Sequence, residues 1–336
     1  MIPKAKRYCL KNAHVPRSVL SGTELSITEK QSEEGLCFVD IEIAEGKIVQ
    51  LTPAGTYDSG QIPTVNLRGG QVWPCFVDMH THLDKGHIWQ RTPNPDGTFS
   101  SALNAVKTDR QKYWQAEDVY RRMEFGLKCS YAHGTKAIRT HIDSFGEQAE
   151  ISLGVLQILQ KEWSDRLIIQ AVSLVTLDYY QTPEGIALAD KIAKCGGILG
   201  GVAYNQSDLD AQLDVVFSLA KERNLNLDFH TDENGDPNSR CLHKVAEAAL
   251  RNEFKGQIIC GHCCSLAVQE PDVLETTLDL VKQAGIGIVS LPMCNLYLQD
   301  RQPKHTPRWR GVTVIHELKQ QGIPVTVASD NCRDPF

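Results

Sequence analysis

The sequence predicts an α/β fold in which a barrel of eight parallel strands follows a small N-terminal β-sheet. Three observations support this prediction. Short alternating strands fill residues 1–68, eight apolar runs with polar ends occupy residues 69–336, and helical patterns separate many of those runs. Strands that alternate with longer helices are typical of parallel sheets with crossover helices. Eight such strands are the number that a (β/α)8 barrel of the TIM type requires.

The first 68 residues predict a small β-sheet domain, which the family resemblance described below implies to be the N-terminal part of a composite β-domain. Its clearest signal is the pair of alternating segments around the turn at residues 45–47. The barrel strands are expected within eight runs: residues 72–82, 135–143, 167–175, 197–205, 225–233, 257–265, 286–294 and 323–331. Helical patterns cover residues 116–132, 208–223, 239–250 and 312–322.

The chain ends directly after the eighth strand run, at Phe336. A complete barrel continues with an eighth helix. We therefore expect the C-terminal part of the barrel and of the β-domain to be missing from this sequence.

Composition narrows the classes of function. The 336 residues are 41% hydrophobic and 23% charged, which allows a large buried core. A net charge of −6 argues against nucleic-acid and membrane partners, because both require a concentrated basic surface. The eleven cysteines are odd in number and the N-terminus lacks an apolar leader, so we expect free thiols in a reducing cytoplasm.

A histidine pair ends the first barrel strand. Strand alternation sends the imidazoles of His80 and His82 to one face, where they could bind a borderline divalent metal such as zinc or iron. The spacing alone is weak evidence, and two structural histidines are the alternative. Its position at the end of an apolar strand favours the metal site.

Other strands end in residues of the same chemical type. His230, His262 and Asp330 end the fifth, sixth and eighth strands, and each alone would usually be a hydrogen-bonded structural group. Ligand-type residues from four strands at one rim together predict a metal centre. Glu233, three residues after His230, could carry a proton from water to a leaving amine, or instead charge or cap the N-terminus of the next helix.

The order of these motifs resembles the cytosine-deaminase-like branch of the amidohydrolase superfamily. The motifs are HTHLDK, RTHID, HTDE, GHCCS, NLYLQDR and ASDN, and the resemblance covers residue 70 to the end. It implies one iron or zinc ion bound by His80, His82, His230 and Asp330. It also implies catalytic roles for Glu233 as the proton shuttle, for His262 in positioning water, and for Asp330.

The resemblance leaves the substrate open. Asn295 and Gln299 match a segment near the pocket, although Gln299 could simply brace its loop. Leu174 occupies the position of a glutamine that reads the pyrimidine in cytosine deaminases, and Asn331 replaces their second aspartate. The Asp-Asn pair is closer to relatives that act on triazines or other N-substituted rings. These four residues are the candidate substrate contacts.

Several other residues receive no catalytic step. His141 and Asp143 fit a supporting, pocket or structural role equally. Asp84 and Lys85 could contribute to the pocket, but they are assigned to a solvated loop. The aromatic side chains of Trp89, Phe99, Tyr179 and Tyr180 are expected to pack locally. The fourth strand lacks a lysine, so the resemblance implies a mononuclear rather than a binuclear site.

The sequence thus predicts a hydrolase that deaminates a small nitrogen heterocycle, using metal-activated hydroxide and Glu233. One alternative is an amidohydrolase acting on an N-substituted triazine or a cyclic amide. An alternative of another class is an inactive fragment. The expected partner is a small heterocyclic substrate, while the native metal and the formation of a homo-oligomer stay open.

Overall fold

The computed structural model describes residues 3–21, 31–58 and 60–336. The chain divides into two compact units, Met1–Cys75 and Phe76–Phe336. None of the helices in the described ranges combines the length and apolar character needed to cross a bilayer.

The first unit contains a four-stranded sheet with the strand order β3-β2-β1-β4. Strand β2 pairs antiparallel with β1 and β3, and β4 pairs parallel with β1. The turn between β2 and β3 has positive φ at both Glu45 and Gly46, as the two central residues of a type I′ hairpin require. The strands are β1 Arg7–Pro16, β2 Leu36–Ala44, β3 Lys47–Pro53 and β4 Thr64–Asn66.

The second unit contains eight strands, and each lies within one of the predicted apolar runs. Every paired neighbour among them is parallel. The strands are β5 Phe76–Thr81, β6 Thr135–Asp143, β7 Ile168–Leu174, β8 Leu199–Ala203, β9 Leu227–Thr231, β10 Ile258–His262, β11 Gly287–Ser290 and β12 Val325–Val327.

These strands form one three-stranded sheet, β5-β6-β7, and one five-stranded sheet, β8-β9-β10-β11-β12. Isolated parallel bridges link the two sheets on both sides. Val172 pairs with Ile198 between β7 and β8, and Thr81 pairs with Asp330 between β5 and the segment after β12. The first strand therefore lies beside the end of the last, which brings residues from both ends of the unit together.

Helices connect most of these strands, and one helix lies at each of the four predicted helical patterns. The helices are α1 Phe99–Tyr113, α2 Ala116–Ala132, α3 Glu147–Glu162, α4 Pro183–Lys194, α5 Leu209–Glu222, α6 Cys241–Arg251, α7 Pro271–Gln283, α8 Pro292–Leu298 and α9 Ile315–Gln320. Three short 3-10 helices span Arg17–Val19, Leu177–Gln181 and Cys264–Val268. Apolar helix faces pack on the strands and bury large side chains such as Trp114, Phe217 and Phe229.

Close packing at β8 bears on the number of metal ions. A Cβ atom added to Gly200 would lie 2.4 Å from both Asp228 O and Val172 Cγ1. The strand therefore has no room at that position for a longer side chain such as lysine. This agrees with the sequence, which gives β8 no candidate for a bridging ligand.

Candidate active site

The carboxyl ends of four barrel strands bring a histidine cluster and an aspartate together. His80 lies on β5 with His82 just beyond it, while His230 lies on β9 and His262 ends β10. Asp330 follows β12 and has a left-handed backbone, with φ of +61°. This conformation is uncommon for residues other than glycine and concentrates at functional sites.

Four of these side chains converge on one point. His230 Nε2 lies 3.1 Å from His80 Nε2 and 3.3 Å from His82 Nε2. Asp330 Oδ1 lies 3.6 Å from His80 Nε2 and 3.2 Å from His82 Nε2. Such separations suit ligand atoms around a single ion, because metal–ligand bonds of about 2.0–2.2 Å place ligands roughly 3–3.5 Å apart.

The unsatisfied polar atoms at this point also fit a metal. Asp330 is 1% exposed, and within the described chain neither of its carboxylate oxygens has a hydrogen-bond partner. A buried carboxylate without a partner is costly, and a cation removes that cost. Burial lowers the pKa of His80, His82 and His230, which keeps these imidazoles neutral, the form that binds metals. These residues form a candidate metal site.

Gly261 on β10 makes space for one of these histidines. A Cβ atom at this position would lie 2.9 Å from His80 Cε1 and 3.0 Å from His80 Nδ1. A side chain here would displace the imidazole or the strand. Glycine is therefore required by the position of His80.

His141 packs against His80 and supports the site. The His141 ring stacks on the His80 ring, with ring centroids 3.8 Å apart. His141 Nε2 lies 3.2 Å from Asp228 Oδ1, and Arg139 donates to Asp228 Oδ2 at 2.7 Å. This arrangement holds the His80 imidazole in one orientation.

Glu233 lies next to the metal cluster and contacts two other polar side chains. Its Oε1 is 3.3 Å from His262 Nδ1, and Asn295 Nδ2 lies 3.1 Å from that same nitrogen. Asn295 Nδ2 is also 3.4 Å from Glu233 Oε1. Burial and the nearby Asp330 raise the pKa of Glu233 well above its usual value, and burial lowers the pKa of His262 to about 4. A carboxyl group with a raised pKa can both accept and return a proton near neutral pH.

The alternative role for Glu233, binding the start of the next helix, is filled by its neighbour. Asp232 accepts hydrogen bonds from the backbone N–H groups of Cys241 and Leu242, at 2.9 and 2.8 Å. These are the first residues of α6. Asp232 therefore satisfies the free N–H groups of the helix, and the carboxylate of Glu233 stays available to the cavity.

A cavity of about 250 Å³ opens over the cluster and is lined by His82, His230, Glu233, His262 and Asp330. Two predicted substrate contacts, Leu174 and Asn331, also line it. The other two contact Glu233 instead: Asn295 through its side chain, and Gln299 through a 3.4 Å hydrogen bond to the Glu233 carbonyl oxygen. Gln299 thus braces the loop that carries Glu233.

The prediction of a solvated loop at Asp84 and Lys85 is wrong. Both residues are buried, and Lys85 lines the cavity. Lys85 Nζ lies 3.2 Å from Asp143 Oδ1, and Asp84 Oδ2 accepts the Asp143 N–H at 2.8 Å. Arg110 on α1 completes the group with a 2.8 Å hydrogen bond to Asp143 Oδ2. The loop turns inward because buried carboxylates pair with its lysine.

The expectation of purely local packing is also wrong for Phe99. This side chain lines the cavity together with Tyr204 and Phe336, which the sequence reasoning did not consider. Tyr180, by contrast, has a structural role, since its hydroxyl donates to the Gly200 carbonyl oxygen at 2.7 Å. An apolar position at the start of a helix or in a loop gives no sequence signal that separates these two outcomes.

Comparisons with known proteins identify the family. A profile of the amidohydrolase family matches residues 179–336. The pterin deaminase of Rhizobium rhizogenes is 49% identical over 335 residues, which is 99% of this chain and 75% of that protein. The N-isopropylammelide isopropyl amidohydrolase of Pseudomonas sp. is 25% identical over 80% of this chain and 65% of its own length.

Solved structures show the same fold. The 5-methylcytosine deaminase from Klebsiella pneumoniae, liganded with 5-fluorocytosine, superposes with a TM-score of 0.82 at 24% identity, covering 97% of this chain and 76% of that chain. N-isopropylammelide isopropylaminohydrolase from Burkholderia multivorans superposes with a TM-score of 0.74 at 18% identity, covering 98% and 76% of the two chains. The predicted α/β fold class and the predicted family are both confirmed. The chain belongs to the amidohydrolase superfamily and is related to its deaminases.

Proposed function

We propose that this chain is a metal-dependent hydrolase that removes an amino group from a small nitrogen heterocycle. The observation that supports it most strongly is the convergence of His80, His82, His230 and Asp330, whose buried carboxylate has no other partner among the described residues. Three imidazoles and one carboxylate are a suitable ligand set for one zinc or iron ion. Such an ion would supply an activated water molecule as the nucleophile.

The protein's own residues would manage the protons. Glu233 faces the cavity beside Asp330, so its carboxylate can take a proton from the attacking water and give it to the departing nitrogen. His262 has an Nε2 atom without a hydrogen-bond partner in the described part of the chain, and this atom can hold the water in place. Asn295 fixes the orientation of that ring from its other nitrogen.

We propose that the substrate is a pterin rather than a pyrimidine. The relative from Rhizobium rhizogenes, a pterin deaminase, matches almost the whole chain at 49% identity. Leu174 gives the cavity an apolar side chain where the resemblance to cytosine deaminases implies an amide. A leucine side chain cannot form a hydrogen bond with cytosine at this position. The missing buried hydrogen bond should lower kcat/KM for cytosine. Lys85, Arg110 and Asp143 offer polar groups to a larger ring.

A panel of substrates tests the proposal. Purified protein with one equivalent of Zn²⁺ or Fe²⁺ is assayed for ammonia release from pterin, cytosine and guanine, and for isopropylamine release from N-isopropylammelide. We expect ammonia from pterin at the highest kcat/KM. Release of isopropylamine without ammonia would replace the deaminase with an N-alkyl amidohydrolase, and no product from any compound would contradict both.

A further inference from the structure

A second group of potential ligands lies beside the candidate metal site. Glu233, Cys294 and Asp330 each offer one ligand atom, and the three atoms lie within 4.8 Å of one another. Cys294 Sγ is 3.9 Å from Glu233 Oε1. Zinc bonds of about 2.3 Å to sulfur and 2.1 Å to oxygen place two tetrahedral ligands roughly 3.6 Å apart. The thiol and the carboxylate therefore need only small movements to bind one ion.

The two carboxylate oxygens of Asp330 also favour a ligand here. Its Oδ1 atom faces the histidines, at 3.2 Å from His82 Nε2. Its Oδ2 atom is buried as well, and no hydrogen-bond donor reaches it from the described residues. One ion among the histidines would use Oδ1 and leave Oδ2 with the cost of burial. A second cation at Oδ2 would remove that cost, since aspartate commonly bridges two metal ions about 3.5–4 Å apart.

The other possible group, His80, His141 and His230, supports no separate site. It shares two residues with the candidate metal centre. His141 Nε2 already lies 3.2 Å from Asp228 Oδ1. That histidine is thus explained as a support for His80.

We propose that Glu233, Cys294 and Asp330 form a second site for a thiophilic divalent cation such as Zn²⁺, filled only when the metal is in excess. Binding replaces the thiol proton of Cys294, which leaves to solvent, with the metal. The site is weaker than the first because it shares Asp330 and lies near another cation. Occupation inhibits the enzyme because it removes the Glu233 carboxylate from proton transfer, a consequence that rests on the proposed function.

A spectroscopic titration tests the binding without any substrate. The full chain with one equivalent of Zn²⁺ is titrated with Co²⁺, and the thiolate-to-cobalt charge-transfer absorption is recorded. The first site contains no sulfur, so cobalt exchanged into it gives no such band. We expect the band in the wild type, its loss in Cys294→Ser, and its retention in the matched control Cys264→Ser, which alters another buried thiol.

Two results would overturn the second site. One is the absence of the band in the wild type, and the other is its persistence in Cys294→Ser. If Cys294→Ser fails to fold, Cys294→Ala takes its place in the titration. Exposed thiols such as Cys75 and Cys332 are present in every variant and so are controlled for.

Inhibition is tested by measuring the rate of ammonia release at increasing Zn²⁺ concentration. The rate of each variant is divided by its own rate at one equivalent of Zn²⁺. Loss of an outer-shell partner typically weakens metal binding 10–100-fold, so loss of a ligand should raise the half-inhibiting Zn²⁺ concentration by about 10-fold or more in Cys294→Ser. An unchanged midpoint, or a wild type that excess Zn²⁺ does not inhibit, would contradict the inhibition. A protein that releases no ammonia at one equivalent would instead count against the proposed function, while the cobalt titration still decides the second site.

Discussion

Two groups of side chains contribute to the same cavity but are assembled in different ways. The metal group consists of His80, His82, His230 and Asp330, which all stand at the ends of strands, and all of them except His80 line the cavity. The charged group consists of Lys85, Arg110 and Asp143, which come from a loop, a helix and a strand end. The carboxyl ends of parallel strands lie at the same edge of the sheet, so the fold itself brings the metal group together. The charged group instead depends on how one loop and one helix pack.

The two groups also differ in electrostatics. The metal group contains neutral imidazoles and a carboxylate that has no hydrogen-bond partner among the described residues, so a cation from outside would stabilise it. The charged group is internally paired. Although burial lowers the pKa of Lys85, the carboxylates of Asp143 and Asp84 raise it overall, and Lys85 remains a cation. We therefore propose that the metal group and its neighbour Glu233 carry out the chemical step and that the charged group selects the substrate.

The largest expected effect separates the chemical step from metal binding. Glu233→Gln should lower kcat by about 10²–10⁴-fold, the usual contribution of a general acid–base group, while bound metal and melting temperature stay near wild type. The matched control is Glu275→Gln, an exposed change on α7 that should leave kcat unaltered. A Glu233→Gln variant with at least half of the wild-type kcat would remove the proton shuttle from the mechanism.

A smaller effect is expected when the packing behind the metal group changes. Gly261→Ala adds a methyl group 2.9 Å from His80 Cε1, so it should weaken metal binding by about 10-fold or more, measured by competition with a chelator. Gly154→Ala on α3 is the control, because its Cβ would meet open space among the described residues. Equal metal affinities in the two variants would show that His80 is not tightly held.

The charged group should act on substrate binding more than on chemistry. Asp143→Asn keeps the shape of the side chain but removes a charged acceptor, so we expect KM to rise about 10-fold with a smaller change in kcat. Asp165→Asn, an exposed substitution whose aspartate side chain is 78% exposed, serves as the control. A fall in kcat at unchanged KM would instead place Asp143 in the chemical step.

The last effect is on stability rather than on activity, and it concerns the segment that carries Asn331 and Phe336 into the cavity. Asp334 accepts hydrogen bonds from both residues, and burial raises its pKa from 3.8 to about 7. A raised pKa means that the folded state holds an extra proton between these values, so the free energy of unfolding falls as pH rises through this window. Asp334→Asn should flatten that fall in denaturant titrations, whereas the exposed control Asp279→Asn should not. An unchanged slope in Asp334→Asn would contradict the assignment.

The sequence reveals much of the fold and the metal group for one physical reason. Strand periodicity predicts which residues end a strand, and parallel strands place those ends at one rim, so the candidates His80, His82, His230, His262 and Asp330 follow from the sequence. The choice of the four ligands among them is implied by the resemblance to the cytosine-deaminase-like branch. The closure of the barrel and the missing C-terminal part remain predictions.

The charged group could not be predicted in the same way. Arg110 lies on a helix whose pattern does not distinguish a cavity-facing arginine from a solvent-facing one. Lys85 follows a histidine motif and looks like part of a polar loop, and its burial depends on Asp143, 58 positions later. The sequence does not single out Asp232 as the helix cap, because its neighbour Glu233 carries the same chemical signal.

X-ray absorption at the metal edge, recorded on protein with one equivalent of Zn²⁺, tests the central claim most directly. We expect only nitrogen and oxygen neighbours at about 2.0–2.2 Å, from His80, His82, His230 and Asp330, and weaker imidazole scattering in His230→Ala. A sulfur neighbour at about 2.3 Å in this one-equivalent sample, or a spectrum that His230→Ala leaves unchanged, would contradict it.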